Sequence, residues 1–186
     1  MKIAIINCGS SKVPDIEKMI REIGVETETI KLGDELPPCD GVVISGAPVL
    51  LTEQNPVPYL KQSIFIQHIH IPVLGICFGH QLMGLHYGAT IKRCTEDRSW
   101  QNIKFFGETV INQGFAEDMS FMEDHCECIT LPSAFDLIAS SITCEVEMMK
   151  HKTKNLFGVQ FHPEVSGENG QELFRQFIDL CKNSKP

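Results

Sequence analysis

The sequence predicts an α/β protein with an open, mostly parallel three-layer sheet, helices on both faces and a small antiparallel β addition. Short, nearly continuous apolar runs such as residues 2–7 and 41–45 are typical of strands buried on both faces. Helix-patterned segments separate these runs, and this alternation favours right-handed βαβ units. The chain has 186 residues, so we expect one domain over residues 1–186.

The first half of the chain alternates regularly between strands and helices. Apolar side chains recur at helical spacing in residues 13–23, and Gly24 ends that predicted helix. Two prolines place residues 34–40 in a loop. The strands predicted in this half are residues 2–7, 25–32, 41–45 and 72–76. The predicted helices are residues 13–23, 58–70 and 78–87.

The second half is less regular. Residues 89–111 indicate shorter strands with polar interruptions, and residues 114–127 indicate loops. Further strands are predicted at residues 135–139, 146–150 and 156–161. Residues 169–181 predict a closing helix with one broad apolar face. We therefore expect the antiparallel addition in this half of the chain.

One stretch, residues 73–81, predicts a reactive cysteine; its sequence is VLGICFGHQ. A short apolar run ends in Gly-x-Cys-x-Gly and a helix-like segment follows, which is the pattern of a nucleophile elbow. Gly75 and Gly79 allow the backbone to approach closely on either side of Cys77. The positive end of the following helix favours the thiolate of Cys77 over its thiol. Active sites of such sheets lie at the carboxyl ends of strands, and Cys77 falls there.

A second stretch, residues 158–164, supplies the predicted base; its sequence is GVQFHPE. A strand is expected to end at His162, because Pro163 cannot donate to a sheet ladder. His162 and Glu164 are two positions apart, and in an extended chain they project to the same side. Cys77, His162 and Glu164 would then serve as nucleophile, general base and orienting carboxylate. With His162 as the base, kcat/KM should rise through its titration near neutrality.

The two stretches together resemble the motifs of the triad (class I) glutamine amidotransferases, and the resemblance covers essentially the whole chain. Within that family the sequence is most similar to the branch in which GMP synthetase keeps its glutaminase as a separate subunit. The resemblance implies hydrolysis of the side-chain amide of L-glutamine through a γ-glutamyl thioester, with no cofactor. It also implies an ATP-dependent synthetase partner, of the ATP-pyrophosphatase type, that uses the ammonia to make GMP from XMP.

The resemblance also implies further site residues. Gln81 would contact the substrate, and Gly46 and Ala47 match the Gly-Gly-Pro stretch of the family, in which Ala47 replaces the second glycine. The backbone N–H groups of Ala47 and Phe78 would form the oxyanion hole.

The sequence departs from the family pattern at two further places. Asp124 and His125 stand where the family often has a Ser-His pair that contacts the substrate amino acid. An aspartate there is expected to weaken glutamine binding or to change the substrate. The turn at residues 7–11 also lacks the glutamine that commonly follows Gly-Ser in GMP synthetases. These differences concern the branch of the family and the substrate, and the chemistry of the triad is unaffected by them.

Composition excludes several other classes of function. The formal net charge is -8 and the sequence pI is about 5.3, with no basic cluster, so we expect no nucleic-acid partner. No apolar run is long enough to span a membrane. The eight cysteines are irregularly spaced, no signal peptide is apparent, and we expect reduced thiols and a cytoplasmic location. Residues 125–128 (HCEC) lack a second ligand pair at finger-like spacing, so no metal site is expected.

Two other functions remain open from the sequence. A hydrolase of γ-glutamyl amides or peptides could use the same three residues, and Asp124 favours it because a carboxylate can select a substrate amine. A non-catalytic regulatory module of the same fold is the other alternative. The complete Cys77, His162 and Glu164 set argues against that alternative.

Overall fold

In the computed structural model, which describes residues 1–184, a nine-stranded sheet runs through the molecule in the order β2-β1-β3-β4-β11-β10-β9-β6-β7. A separate two-stranded ribbon pairs β5 with β8. The strands in this part of the chain are β1 (Lys2–Asn7), β2 (Glu26–Lys31), β3 (Gly41–Ile44), β4 (Val73–Ile76), β5 (Ile91–Asp97), β6 (Trp100–Phe105), β7 (Asp118–Met122), β8 (His125–Ile129), β9 (Phe135–Ser140), β10 (Met148–His151) and β11 (Leu156–Val159).

Helices cover both faces of the sheet, which confirms the predicted α/β class. They are α1 (Val13–Glu22), α2 (Val57–Gln62), α3 (Phe78–His86) and α4 (Gly167–Asn183), with 3-10 turns at Ile64–Gln67 and Pro163–Val165. None of the helices within residues 1–184 combines the length and the apolar character needed to cross a bilayer. The last two residues of the expected domain, 185 and 186, lie outside the described part.

Strand β1 shows how the sheet builds two cores. Its side chains alternate between the faces, so Ile3 and Ile5 pack into one apolar cluster while Ala4 and Ile6 pack into another. The first cluster contains the apolar faces of α1 and α4, and the second lies on the face covered by α3. Burial on both faces explains why the β1 sequence is a continuous apolar run rather than an alternating one.

The sheet changes direction after β11. Strands β2, β1, β3, β4 and β11 pair in parallel, whereas β10, β9, β6 and β7 continue the same sheet as antiparallel strands. The antiparallel addition is therefore part of the main sheet, and only β5 and β8 stand apart. The prediction of loops at residues 114–127 was wrong, because β7 and the start of β8 lie there. Buried acidic side chains, Glu123 and Glu127, hide the apolar pattern of this region.

The predicted helix at residues 58–70 is also interrupted. Helix α2 ends at Gln62, and a 3-10 turn follows after Ser63. The hydroxyl of Ser63 donates to the carbonyl oxygen of Tyr59 at 2.7 Å, one turn back along the helix. Such a side-chain bond competes with regular helical pairing and favours a break at this residue.

Three neighbouring strands deliver the predicted site residues to one edge of the sheet. Gly46 and Ala47 follow β3, Cys77 follows β4, and His162 follows β11. Since β3, β4 and β11 are adjacent and parallel, their carboxyl ends meet at the same edge.

Candidate active site

Cys77 occupies a strained turn between β4 and α3. Its φ is 49° and its ψ is -103°, and it is the only non-glycine residue with positive φ among residues 1–184. The backbone N–H of Cys77 donates to the carbonyl oxygen of Val159 at 2.8 Å, which fixes the turn to β11. A residue in this sparsely populated conformation persists only where its surroundings hold it, and such residues cluster at active sites.

The two flanking glycines are required by close backbone packing. A Cβ at Gly75 would lie 2.7 Å from the carbonyl oxygen of Gly79, and a Cβ at Gly79 would collide with the backbone of Ile44. Helix α3 therefore lies directly against the ends of β3 and β4. Its positive N-terminal end is aimed at Cys77, as the sequence predicted.

His162 and Glu164 form the buried pair that the sequence predicted, although not through an extended chain. Glu164 lies in the 3-10 turn Pro163–Val165, and this turn carries its Oε1 to 2.7 Å from Nδ1 of His162. The backbone of His162 is held from both sides. Its N–H donates to the carbonyl oxygen of Met122 at 2.8 Å, and its carbonyl oxygen accepts from Oγ of Ser166 at 2.7 Å.

The surroundings of His162 favour its protonated form. Burial lowers the pKa of the imidazole, but the charge of Glu164 and the contacts with Cys77 and Glu164 together raise this pKa to about 10. The rise of kcat/KM near neutrality stays a prediction, and this shift moves the pKa of His162 upward from its ordinary value. This upward shift favours an imidazolium facing Cys77 at neutral pH.

The two predicted oxyanion donors are placed beside Cys77. Phe78 is the first residue of α3, where a backbone N–H has no acceptor within the helix. Ala47 lies in the loop after β3, and its N–H has no hydrogen-bond acceptor within the described residues. The φ of Ala47 is not positive, so an alanine fits here without strain in place of the glycine of the family.

Gly46 lies against the side chains of Cys77 and His162. A Cβ built at this position would be 3.2 Å from Cε1 of His162 and 3.7 Å from Cβ of Cys77. The glycine thus leaves the space in which the thiol and the imidazole face each other.

A cavity of about 390 Å³ opens over these groups, and Cys77 and His162 both line it. Gln81, which was predicted to contact the substrate, lines the same cavity and donates from Nε2 to the carbonyl oxygen of Glu127 at 3.1 Å. Asp124 and His125 also line it, so the structure brings these predicted side chains together.

Asp124 is part of a charged group that the sequence did not reveal. Nζ of Lys12 donates to its Oδ2 at 2.5 Å, and Nη1 of Arg98 lies 3.5 Å from its Oδ1. Burial raises the pKa of Asp124. The charges of Lys12, His162 and Arg98 lower it by more, so the pKa lies below its ordinary value. The carbonyl oxygen of Asp124 lies 4.0 Å from Sγ of Cys77, so this charged group stands close to that thiol.

Glu127 holds another wall of the cavity. Its buried carboxylate accepts from the backbone N–H groups of Leu51 and Thr52, at 2.9 Å and 2.8 Å. These bonds tie the loop after Ala47 to β8. No local pattern marks this contact, because Glu127 and Leu51 are 76 positions apart.

His125 stands between a thiol and a carboxylate, as His162 does. Its Nδ1 lies 3.5 Å from Sγ of Cys94, and its Nε2 lies 3.2 Å from Oε2 of the fully buried Glu123. Burial lowers the pKa of His125, but Cys94 and Glu123 raise it to about 12. A hydrogen bond with Cys128 lowers the pKa of the Cys94 thiol, and burial raises it. His125 also lowers this pKa, and the result is a pKa of about 5.

Other candidate groups lie away from the reaction centre. His80 is fully buried against Gly158, and burial lowers its pKa to about 3, so it is a neutral core residue. Burial raises the pKa of the thiols of Cys8 and Cys181 to about 12, as expected for inert cysteines.

Comparison with known proteins shows which family this chain resembles. The profile of the family described as Glutamine amidotransferase class-I matches residues 4–180. The chain is 33% identical over 189 residues to the A subunit of GMP synthase (glutamine-hydrolyzing) of Saccharolobus solfataricus, covering 98% of this chain and 100% of that relative. The corresponding protein of Thermoplasma volcanium is 36% identical over 192 residues, covering 100% and 94% of the two chains.

Solved structures agree with this relationship. A presumed A subunit of GMP synthase from Thermoplasma acidophilum superposes with a TM-score of 0.91 and 31% identity, covering 98% of this chain and 94% of that chain. A glutamine amidotransferase from Thermotoga maritima superposes with a TM-score of 0.78 at 21% identity, over 98% and 84% of the two chains, and shares the fold.

Proposed function

Because the chain belongs to the class-I glutamine amidotransferase family, we propose that it is the glutaminase subunit of a two-subunit GMP synthase. It hydrolyses L-glutamine and passes the ammonia to a separate synthetase subunit. The observation that carries this proposal is that Cys77 and His162 line one cavity with Glu164 bound to His162, in a chain similar over its length to the A subunits of GMP synthases.

The proposed reaction begins with attack of the Cys77 thiolate on the side-chain carbonyl carbon of glutamine. As the S–C bond forms, the carbonyl electron pair moves to oxygen, where the N–H groups of Ala47 and Phe78 donate to it. Loss of one such donor typically costs about 10²–10³ in rate. The His162 imidazolium then gives its proton to the amide nitrogen, the C–N bond breaks, and ammonia leaves.

Hydrolysis of the thioester completes the cycle. His162, now neutral, takes a proton from water, whose oxygen attacks the acyl carbon. The tetrahedral intermediate expels the thiolate and releases glutamate. The sum is one glutamine and one water converted to one glutamate and one ammonia. Glu164 stabilises the imidazolium and keeps its ring oriented in both halves of the reaction.

The charged group opposite Cys77 suits a zwitterionic amino acid. We assign the α-amino and α-carboxylate groups of glutamine to the region of Asp124, Lys12 and Arg98, with Gly46, Gln81 and His125 completing the substrate pocket. In the free protein the carboxylate of Asp124 is paired with Lys12. A bound substrate would replace this contact by pairing its α-amino group with Asp124 and its α-carboxylate with Lys12.

The proposed partner is an ATP-dependent synthetase of the ATP-pyrophosphatase type, which converts XMP to GMP with the ammonia. The proposed location is the cytoplasm, where the eight unpaired cysteines of the chain would stay reduced.

Reconstitution with such a synthetase tests the proposal. The full chain is mixed with the synthetase subunit, XMP, ATP and Mg²⁺, and GMP is measured with glutamine or with ammonium as the nitrogen source. We expect the Cys77→Ala complex to lose GMP formation from glutamine and to keep it from ammonium. Cys39→Ser is the matched control, because Cys39 lies before β3 at the opposite edge of the sheet.

Two results would overturn parts of the proposal separately. If Cys77→Ala keeps its glutamine-dependent activity, the nucleophile is wrong. If the wild-type chain hydrolyses glutamine but never supports GMP formation with the synthetase, the partner is wrong and the glutaminase assignment survives.

The alternative of a γ-glutamyl amide or peptide hydrolase depended on Asp124 as a free carboxylate. That carboxylate is paired with Lys12 and Arg98, so it does not by itself favour γ-glutamyl amines over glutamine. Turnover of γ-glutamyl amines faster than glutamine would reverse this choice.

A further inference from the structure

A cluster of thiols lies beside the cavity, around His125. Sγ of Cys94, Sγ of Cys128 and a ring nitrogen of His125 lie within 4.8 Å of one another. Cys128 and His125 come from β8, and Cys94 comes from β5, which pairs with β8. The register shifts between Arg93 and Asp97, so Cys94 lies in an irregular part of β5, where a strand can redirect a side chain.

We propose that Cys94, Cys128 and His125 bind a soft divalent cation of the zinc class, with Glu123 as the carboxylate that orients His125. The donor set of two sulfurs and one imidazole nitrogen is one that Zn²⁺ prefers. Three protein ligands leave the fourth tetrahedral position to water.

The distance between Cys94 and His125 fits such an ion. Zinc binds sulfur at about 2.3 Å and nitrogen at about 2.0–2.1 Å, so at tetrahedral angles the two ligand atoms stand about 3.6 Å apart. Sγ of Cys94 and Nδ1 of His125 are 3.5 Å apart. An ion would therefore fit between these two ligands with little movement of their side chains.

The other face of His125 carries the expected supporting group. Histidines that bind metals almost always turn their second ring nitrogen to a carboxylate or carbonyl oxygen. Here Nε2 of His125 lies 3.2 Å from Oε2 of Glu123, whose side chain is fully buried. The Cys94 thiol and the Glu123 carboxylate thus stand on opposite nitrogens of the same ring.

Two buried glutamates lie near His125, on the side of the ring away from Cys94. Glu123 and Glu147 are both fully buried and lie close to His125. Both carboxylate oxygens of Glu123 and Oε2 of Glu147 have no hydrogen-bond partner within the described residues. Glu123 has His125 as its ion-pair partner, and buried oxygens without a hydrogen bond commonly mark an unplaced ion or water.

The sequence argued against a metal because residues 125–128 have no second ligand pair at finger-like spacing. Strand pairing supplies the third ligand from Cys94, 31 positions away from His125. The site would fix the segment from Glu123 to Cys128, which includes the cavity residues Asp124 and His125.

Titration of the full-length chain with Co²⁺ and Zn²⁺, under a reductant that is not a thiol, tests the proposal. Wild-type protein should bind one Co²⁺ with a thiolate-to-cobalt charge-transfer band and the visible bands of a tetrahedral ion, and Zn²⁺ should displace it. The Cys94→Ser and Cys128→Ser double variant should lose the charge-transfer band. Glu123→Gln should keep the band and bind about 10–100-fold more weakly.

Two controls locate the ion. Cys77→Ala should keep full binding, and its loss would place the ion on the catalytic pair and overturn the proposal. Glu147→Gln should leave the charge-transfer band in place. If it abolishes binding while the double cysteine variant still binds, the ion lies on the carboxylate side of His125 and the proposal is wrong.

X-ray absorption of the wild-type zinc complex gives an answer that does not depend on variant folding. Two sulfur scatterers at about 2.3 Å are expected. A shell of nitrogen and oxygen alone, or no zinc retained after dialysis, would overturn the site. Glutaminase activity is not the readout, so failure of this proposal leaves the proposed function intact.

Discussion

Two imidazoles, those of His162 and His125, line the cavity, and each faces a thiol. The backbone around these two thiols differs. Each ring stands between a cysteine and a buried glutamate, and each has a raised pKa, about 10 for one and about 12 for the other. We call the two sets the catalytic triple and the second triple. They consist of Cys77, His162 and Glu164, and of Cys94, His125 and Glu123, respectively.

The difference lies in what each cysteine can do with a bound carbonyl group. Cys77 has positive φ at the N-terminus of α3, next to the N–H of Phe78, so an oxyanion forming beside it meets a donor. Cys94 lies in β5 and contacts another thiol, Cys128. A thiol, an imidazole and a carboxylate are therefore not enough for acyl chemistry, since the surrounding backbone decides whether the thiol attacks a substrate or suits a metal.

The most severe test of this comparison is covalent labelling. A glutamine analogue with an electrophile at its γ-carbon should modify Cys77 and leave Cys94 unmodified, because only Cys77 has oxyanion donors and a substrate pocket. We expect a rate difference of about 10²-fold or more, the value of a single oxyanion donor. Peptide mapping by mass spectrometry after partial reaction measures it.

Free glutamine at saturation is the control for this labelling, since it should protect Cys77. Comparable modification of Cys94 would show that the two triples do not differ as proposed. Iodoacetamide, which needs no pocket, reports whether Cys94 is accessible at all.

The second test changes the carboxylate of each triple. Glu164→Gln should lower kcat by up to about 10⁴-fold, because the amide cannot stabilise the imidazolium that donates to the leaving ammonia. Glu123→Gln should act mainly on KM, because His125 lines the cavity but does not face Cys77. Steady-state kinetics of glutamate release separate the two effects. Equal losses of kcat in both variants would contradict the division of roles.

Local patterns were enough to predict that Cys77, His162 and Glu164 lie together. The Gly-x-Cys-x-Gly turn demands a strand before it and a helix after it, and the close contact between Gly75 and Gly79 shows why those glycines are needed. His162 and Glu164 are two positions apart, so their pairing is also local. The prediction that an extended chain brings them together was wrong, because a 3-10 turn joins them.

The second triple and the charged group at Asp124 could not be predicted in this way. Lys12 and Asp124 are 112 positions apart, and their contact depends on how two distant loops meet above the sheet. Glu123 is a charged residue that is fully buried, and such residues are read from sequence as exposed loop. The prediction of loops at residues 114–127 and the failure to find Cys94 beside His125 have this common origin.

A third, smaller effect tests how tightly the catalytic triple is packed. Gly46→Ala would place a methyl group 3.2 Å from Cε1 of His162, which is closer than such contacts normally allow. We expect kcat/KM to fall by about 10–100-fold through displacement of the imidazole. Gly107→Ala is the matched control, because its Cβ would make an ordinary contact of 3.5 Å with Ile138. Unchanged kinetics in Gly46→Ala would mean that the imidazole has more room than the geometry allows.

The smallest expected effect is on stability as a function of pH. An unfolded histidine titrates near pH 6.5, whereas the pKa of His162 in the folded chain is about 10. Between these values the folded state binds more protons at this site, so its contribution to the free energy of unfolding falls as pH rises. This contribution is complete below about pH 6.5 and is lost as pH rises through about 10.

The measurement is urea unfolding of wild type and His162→Gln from pH 6 to pH 10, repeated with Cys77→Ala in both chains because that thiol titrates together with His162. The other thiols are common to both chains and cancel in the difference. We expect wild type to lose stability relative to the variant as pH rises. A difference that stays constant with pH would mean that His162 is neutral in the folded chain. Ammonia departure would then need another proton donor. The two triples would share their geometry but not a histidine with a raised pKa.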